Sequence, residues 1–142
     1  VAVVSEPPSA LRSSQMKILV VDDEPDIVEL RSFSLAAAGH EVTSADDGLA
    51  ALNLAWAEPF DLIVLDLMLP EMDGISVCEM LRREPSTAQT PVLILTAWAN
   101  EQARIVGFEL GAGDYVTKPF SPRELVLRVN RLLQGRAAPL PL

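Results

Sequence analysis

Asp22 and Asp23 directly follow the apolar run "KILVV" (17–21), and Asp66 sits inside "DLIVLDL" (61–67). Thr96 lies near the end of "PVLILTA" (91–97), and Lys118 closes "DYVTK" (114–118). Ionised carboxylates repel one another, and burying even one is costly. Three at one edge of a fold call for a cation. Hard divalent ions such as Mg²⁺ take oxygen ligands, often one or two carboxylates with water and phosphate oxygens. The chain has two lysines against nine arginines, so a lysine before Pro119-Phe120 reads as a place that wants a compact ammonium. Each residue alone has an ordinary reading. Glu24 reads as a first-turn charge of a helix, Thr96 as a β-branched strand end and Lys118 as a surface lysine. The joint pattern is what points to a site.

Such residues meet only if the chain folds as alternating strands and helices. "KILVV", "EVTSA" (41–45), "DLIVLDL", "PVLILTA" and "DYVTK" read as strands. Between and after them come five helical stretches. The first starts at Pro25, suited to a helix's first turn, and stops at Gly39. "DGLAALNLAWA" (47–57), "DGISVCEMLRRE" (73–84) and "EQARIVGFELG" (101–111) follow. The last, "SPRELVLRVNRLLQ" (121–134), is capped by Ser121, with Pro122 at its first position and Glu124 at its third. Near-continuous apolar strands alternating with helices predict an open, doubly wound parallel sheet covered on both faces. Ligands in such sheets sit at the carboxyl ends of the strands. The acids, the threonine and the lysine all fall on that edge.

The 142 residues suffice for one domain with a core, expected over 16–134. Residues 1–15, with Pro7-Pro8 and four serines, read as a flexible leader, and 135–142 as a linker start or frayed tail. A net charge of −9 argues against direct nucleic-acid binding by this chain. Cys78 is the single cysteine, which suits a reducing, cytoplasmic location. The N-terminus does not read as a secretory signal, and the longest apolar runs are too short to span a membrane.

"KILVVDDEPDI", "DLIVLDLMLPEMDGI", "PVLILTA" and "GAGDYVTKPFSPREL" closely resemble the response-regulator receiver domains of two-component signalling. The resemblance extends over about 16–134 and implies a flavodoxin-like strand order, 2-1-3-4-5. It implies a phosphoacceptor switch rather than an enzyme. Asp66 would take a phosphoryl group from a histidine kinase. Asp22, Asp23, Asp66 and the Met68 carbonyl would hold Mg²⁺. Lys118 and the Thr96 hydroxyl would bind phosphoryl oxygens, Tyr115 would be the switch aromatic, and the Lys118–Pro119 peptide would be cis. The OmpR/PhoB-like subgroup pairs its active receivers through one face. Arg104, Asp114, Glu124 and Arg128 match the ion-pair positions, whereas Gly113 stands where that subgroup often has an acid. Met68 and Trp98 would flank the path of an attacking water and lengthen the life of the phosphoryl group. The implied output is a transcriptional effector domain beyond this chain, and the alternative is a stand-alone receiver in a phosphorelay.

Two other classes compete. A haloacid-dehalogenase-type phosphohydrolase also uses an aspartyl phosphate, but places its nucleophile in an Asp-x-Asp motif after the first strand. Here the acids are adjacent and Asp66 follows the third strand. A flavin or nucleotide binder needs a Gly-, Ser- or Thr-rich phosphate loop after the first strand. "DDEPD" (22–26) is acidic instead.

Overall fold

A computed structural model describes residues 16–97, 101–109 and 111–137, with the side chains of 101–104 and 135–137 outside the description. The expected leader (1–15), Trp98 and residues 138–142 lie outside the described residues. The elements in chain order are β1 (Lys17–Val21), α1 (Pro25–Ala37), β2 (Glu41–Ala45), α2 (Gly48–Ala57) and β3 (Leu62–Asp66). They continue with α3 (Gly74–Arg83), β4 (Val92–Thr96), α4 (Glu101–Glu109), β5 (Asp114–Thr117) and α5 (Pro122–Ala137). The strands form one sheet in the order β2-β1-β3-β4-β5, with all four neighbouring pairs parallel. This is the doubly wound arrangement the apolar runs predict.

The central strands are apolar throughout because each of their two faces meets a helical layer. Side chains alternate across a strand with a period of two. Ile18, Val20, Val64 and Leu93 therefore join Leu35 of α1 and Leu125 and Val129 of α5 on one side. Leu19, Val21, Leu65 and Ile94 join Leu52 of α2 and Val77 and Leu81 of α3 on the other. Full burial of such a side chain contributes about 1.5–3 kcal/mol. Two cores back to back thus hold β1, β3 and β4 rigidly, and it is their ends that carry the acids and Thr96. Cys78 packs within the second core, where burial pushes its thiol up to about 11.

Polar side chains set where the helices start. Asp47 accepts the Ala50 N–H at 2.7 Å, Asp73 the Ser76 N–H at 2.8 Å and the Ser121 hydroxyl the Glu124 N–H at 3.1 Å. Pro25 begins α1, and Gly39 (φ 98°) turns the chain out of it toward β2. α5 continues to Ala137, past the expected stop at Gln134. Gly135 lowers helix propensity without forbidding a helix, and no proline intervenes before Pro139. Among the described residues, no helix is long and apolar enough to cross a membrane.

Candidate functional site

β1 and β3 are parallel neighbours, with Val21 opposite Leu65, so the residues that follow them emerge side by side. Asp22 and Asp66 stand there, and both are buried (0% and 2% exposed). β4 lies against β3 and brings in Thr96, also fully buried. The Lys118 N–H donates to the Thr96 carbonyl at 2.8 Å, which ties the end of β5 to the same edge. The Lys118–Pro119 peptide is cis.

Asp66 is held at each of its oxygens. The Met68 N–H donates to Oδ1 at 2.9 Å, and Lys118 Nζ lies 2.5 Å from Oδ2. Burial pushes the Asp66 carboxyl above the usual carboxylate range. Lys118 and the Met68 N–H pull the other way, and Asp22 adds to the upward push. Lys118 Nζ also lies 3.9 Å from Asp22 Oδ2, so one ammonium stands between the two buried acids.

Asp22, Asp23 and Glu24 form an acidic group, with one carboxylate oxygen of each within 4.8 Å of the others. Asp23 and Glu24 are exposed, and a groove of about 630 Å³ opens beside Asp22 and Asp23 between α1 and Asp46. Three clustered hard oxygen donors fit a divalent cation such as Mg²⁺. Glu24 stands where the sequence reading puts it, at the start of a helix. Its side chain caps no N–H and is available to the acidic group. Met68 is exposed beside Asp66.

Arg31 is not among the residues that the sequence pattern singles out. It is buried on α1 and pairs through Nη1 with Asp22 Oδ2. Its guanidinium also lies 5.3 Å from the centre of the Phe120 ring. The available signal is its spacing: Ile27, Arg31 and Leu35 repeat every four residues on one face of the helix.

Tyr115 is buried next to Thr96's strand, opposite Ile94, with its ring centroid 6.5 Å from that of Phe108. Gly107 makes room for it, since a Cβ there would sit 3.0 Å from the Tyr115 ring. Of the four residues matched to the dimer face, the Arg104 side chain lies outside the described residues. The other three bond within the chain. Arg128 Nη1 lies 2.9 Å from Asp114 Oδ2, and Arg128 Nη2 lies 3.3 Å from Glu124 Oε2. Arg131 also reaches Asp114, at 3.3 Å.

Burial alone would raise the Asp114 carboxyl, but Arg128, the Tyr115 N–H and Arg131 outweigh it and hold it below the usual range. A carboxyl depressed in the folded state stabilises the fold above its unfolded pKa, and that stability is lost as pH falls through the folded value. Asp114→Asn is therefore expected to cost about 1 kcal/mol at pH 7. The gap from the native chain should close as the pH falls below the ordinary carboxylate range. Urea unfolding across a pH series measures both.

Residues 18–130 match the family described as the response regulator receiver domain. The chain is 52% identical over 118 residues to the alkaline phosphatase synthesis transcriptional regulatory protein PhoP of Bacillus subtilis. The match covers 83% of this chain and 48% of that protein. It is 49% identical to the DNA-binding dual master transcriptional regulator RpaA of Synechocystis, covering 83% and 49%. The chain thus spans about half the length of the curated relatives it matches. Among solved structures, it is similar to the Francisella response regulator 1452 receiver domain, with a TM-score of 0.81 and 39% identity. That match covers 86% of this chain and 99% of the other. It is also similar to a BeF3-activated DrrB receiver domain, with a TM-score of 0.74 and 38% identity over 84% and 98%.

Proposed function

The chain belongs to the response regulator receiver domain family, and on that premise we propose that Asp66 is its phosphoacceptor and that Asp22, Asp23 and Asp66 hold its metal, with Glu24 beside them. Receiver domains of this family are phosphoacceptor switches that phosphorylate themselves rather than classical enzymes. Family membership pairs them with a histidine kinase. The observation that carries the assignment is the carboxylate of Asp66, buried at the end of β3 and gripped by Lys118.

With the Met68 N–H keeping Oδ1 in place, Oδ2, the oxygen that Lys118 holds, is the one that would meet phosphorus. A new bond forms between Oδ2 and phosphorus as the bond from phosphorus to its donor, a phosphohistidine nitrogen or an acyl oxygen, breaks. The donor leaves with that electron pair. Lys118, already at Oδ2, passes to a phosphoryl oxygen and balances the added charge. The acids, with the Met68 carbonyl as a further oxygen donor, would hold Mg²⁺, which when bound would supply further neutralisation of that charge. The Thr96 hydroxyl donates to another phosphoryl oxygen and moves toward it, and Tyr115 turns into the space that Thr96 vacates. Exposed Met68 stands in the path of an attacking water and slows loss of the group.

The output is dimerisation through the α4–β5–α5 face. Ile105 and Phe108 on α4 are half exposed there, and Asp114, Glu124 and Arg128, with Arg104, supply the charged positions. Pairing across two copies requires Arg128 to trade an internal partner for an external one. Exchange of one partly exposed ion pair for another leaves little net change in energy, so interactions that exist only in the phosphorylated state can tip it. The dimer would serve a transcriptional output, as the names of the two relatives describe for those proteins.

The test is intact mass after incubation with acetyl phosphate or phosphoramidate, with Mg²⁺ or with a chelator. A gain of one phosphoryl group only with Mg²⁺ is expected. No gain from either donor at saturating Mg²⁺ sinks the assignment.

A further inference from the structure

The buried part of this site is already neutral before any metal arrives. Among the described residues, Asp22 and Asp66 are the two acids with almost no exposure, and Arg31 and Lys118 are the cations set against them. Arg31 occupies Oδ2 of Asp22, and the Glu24 N–H donates to Oδ1 at 3.0 Å. The inner carboxylate of the acidic group is therefore satisfied at each oxygen by the chain itself. Of the three acids in that group, Asp23 and Glu24 are the exposed ones, and among the described residues neither is paired with a cation. A divalent ion reaching Asp22 meets a guanidinium already bonded there, and the two repel each other in a poorly solvated place.

We infer that Arg31 is a tethered cation that competes with the divalent metal for Asp22, and so sets the metal affinity of this receiver. This rests on the reading of Asp22 and Asp23, with Asp66, as the metal-holding acids. The surroundings give Arg31 a second place to go. A groove of about 260 Å³ runs along its other side, lined by Ile27, Leu30, Lys118, Pro119, Phe120 and Pro122. The Phe120 ring lies there, 5.3 Å from the guanidinium, and can keep a cation that has let go of Asp22. Arginine suits both positions, because its planar, weakly hydrated head can pair with a carboxylate or stack on a ring. Without metal the guanidinium holds Asp22 and spares the fold a bare buried carboxylate. With metal it withdraws to the ring. The charge on Asp22 is matched in both states, and metal binding becomes an exchange of one cation for another.

The experiment compares Mg²⁺ binding by calorimetry to the native chain and to Arg31→Met, an apolar side chain of similar length. Arg31→Met is expected to bind Mg²⁺ about tenfold more tightly, a change of about 1.4 kcal/mol. It should also melt at lower temperature without metal and gain more from added Mg²⁺. Phe120→Ala, which removes the ring that would keep the withdrawn guanidinium, should weaken Mg²⁺ binding. In the native chain, the side-chain ¹⁵N resonances of Arg31 should shift as Mg²⁺ saturates. A cooperatively folded Arg31→Met with native or weaker affinity overturns the inference. Should that variant fail to fold, an Arg31 resonance unmoved at Mg²⁺ saturation overturns it equally. Mg²⁺ binding by neither protein removes the metal reading itself, whereas equal binding by both removes only the role of Arg31.

Discussion

Asp66→Asn is expected to abolish phosphoryl uptake from acetyl phosphate and to leave the metal-free fold as stable as the native chain or more so. The two outcomes have separate causes. Asparagine keeps the shape of the side chain and can still accept the Met68 N–H, but it has no carboxylate oxygen to form a bond with phosphorus. The stability outcome follows from the raised Asp66 carboxyl. A carboxyl raised in the folded state binds protons more readily there than when unfolded. Its stability contribution is therefore full below the unfolded pKa and is lost as pH rises through the folded one. At neutral pH the ionised group weighs against folding despite Lys118, and a neutral replacement removes that penalty. Intact mass after acetyl phosphate treatment checks the first outcome. Urea unfolding at pH 7 and pH 3 in chelator checks the second, with any advantage of Asp66→Asn shrinking at the lower pH. A variant that still gains a phosphoryl group would place the acceptor elsewhere. A large loss of stability would mean that the Lys118 pair outweighs the burial of the charge.

The site is legible in the sequence to the extent that its residues interrupt an apolar pattern. Asp66 and Thr96 are polar residues in runs otherwise buried on two faces, so their positions announce strand ends and the sheet edge used for ligands. The strands themselves are readable for the same reason. β2, one of the two edge strands, is only partly buried, and its "EVTSA" is correspondingly less apolar. Arg31 is not legible, because a charge on a helix usually marks the solvated face. Its burial depends on Asp22, nine residues earlier in sequence, and on Phe120, which only the end of β5 brings near. Glu24 reads from its helix-start position, which is correct but does not exclude its place among the acids. The internal pairing of Asp114 with Arg128 is hidden too, because it joins the start of β5 to the middle of α5.

Gly74 is a further case in which sequence reveals the element but not the reason for the residue. "DG" at 73–74 reads as a helix start, and Asp73 does cap α3. The fold asks for more than a cap. The Gly74 N–H donates to the Leu67 carbonyl at 3.0 Å, pinning α3 to the chain just past Asp66. A Cβ at Gly74 would lie 2.6 Å from Leu67 Cα and 2.7 Å from the Asp66 carbonyl oxygen. Both are backbone atoms, so no side-chain rotation relieves the clash. Gly74→Ala must push α3 away or shift the end of β3, and overpacking of this kind costs about 1–3 kcal/mol. Moving the end of β3 also moves Asp66 relative to Lys118. Displacement of a reacting group by about 1 Å can cost a factor of about 100 in rate. Gly74→Ala is therefore expected to lose stability and, at saturating Mg²⁺, to take up phosphate at least tenfold more slowly. Gly39→Ala is the control, since Gly39 has a positive φ but nothing within 4 Å of its would-be Cβ. It should cost about 1 kcal/mol through backbone strain and leave the rate of phosphorylation alone. If the two variants lose equal stability and phosphorylate at the native rate, the tight approach of α3 does not position Asp66. If only Gly74→Ala slows, the glycine belongs to the site as much as the acids do, by keeping a helix close enough to hold a strand end still.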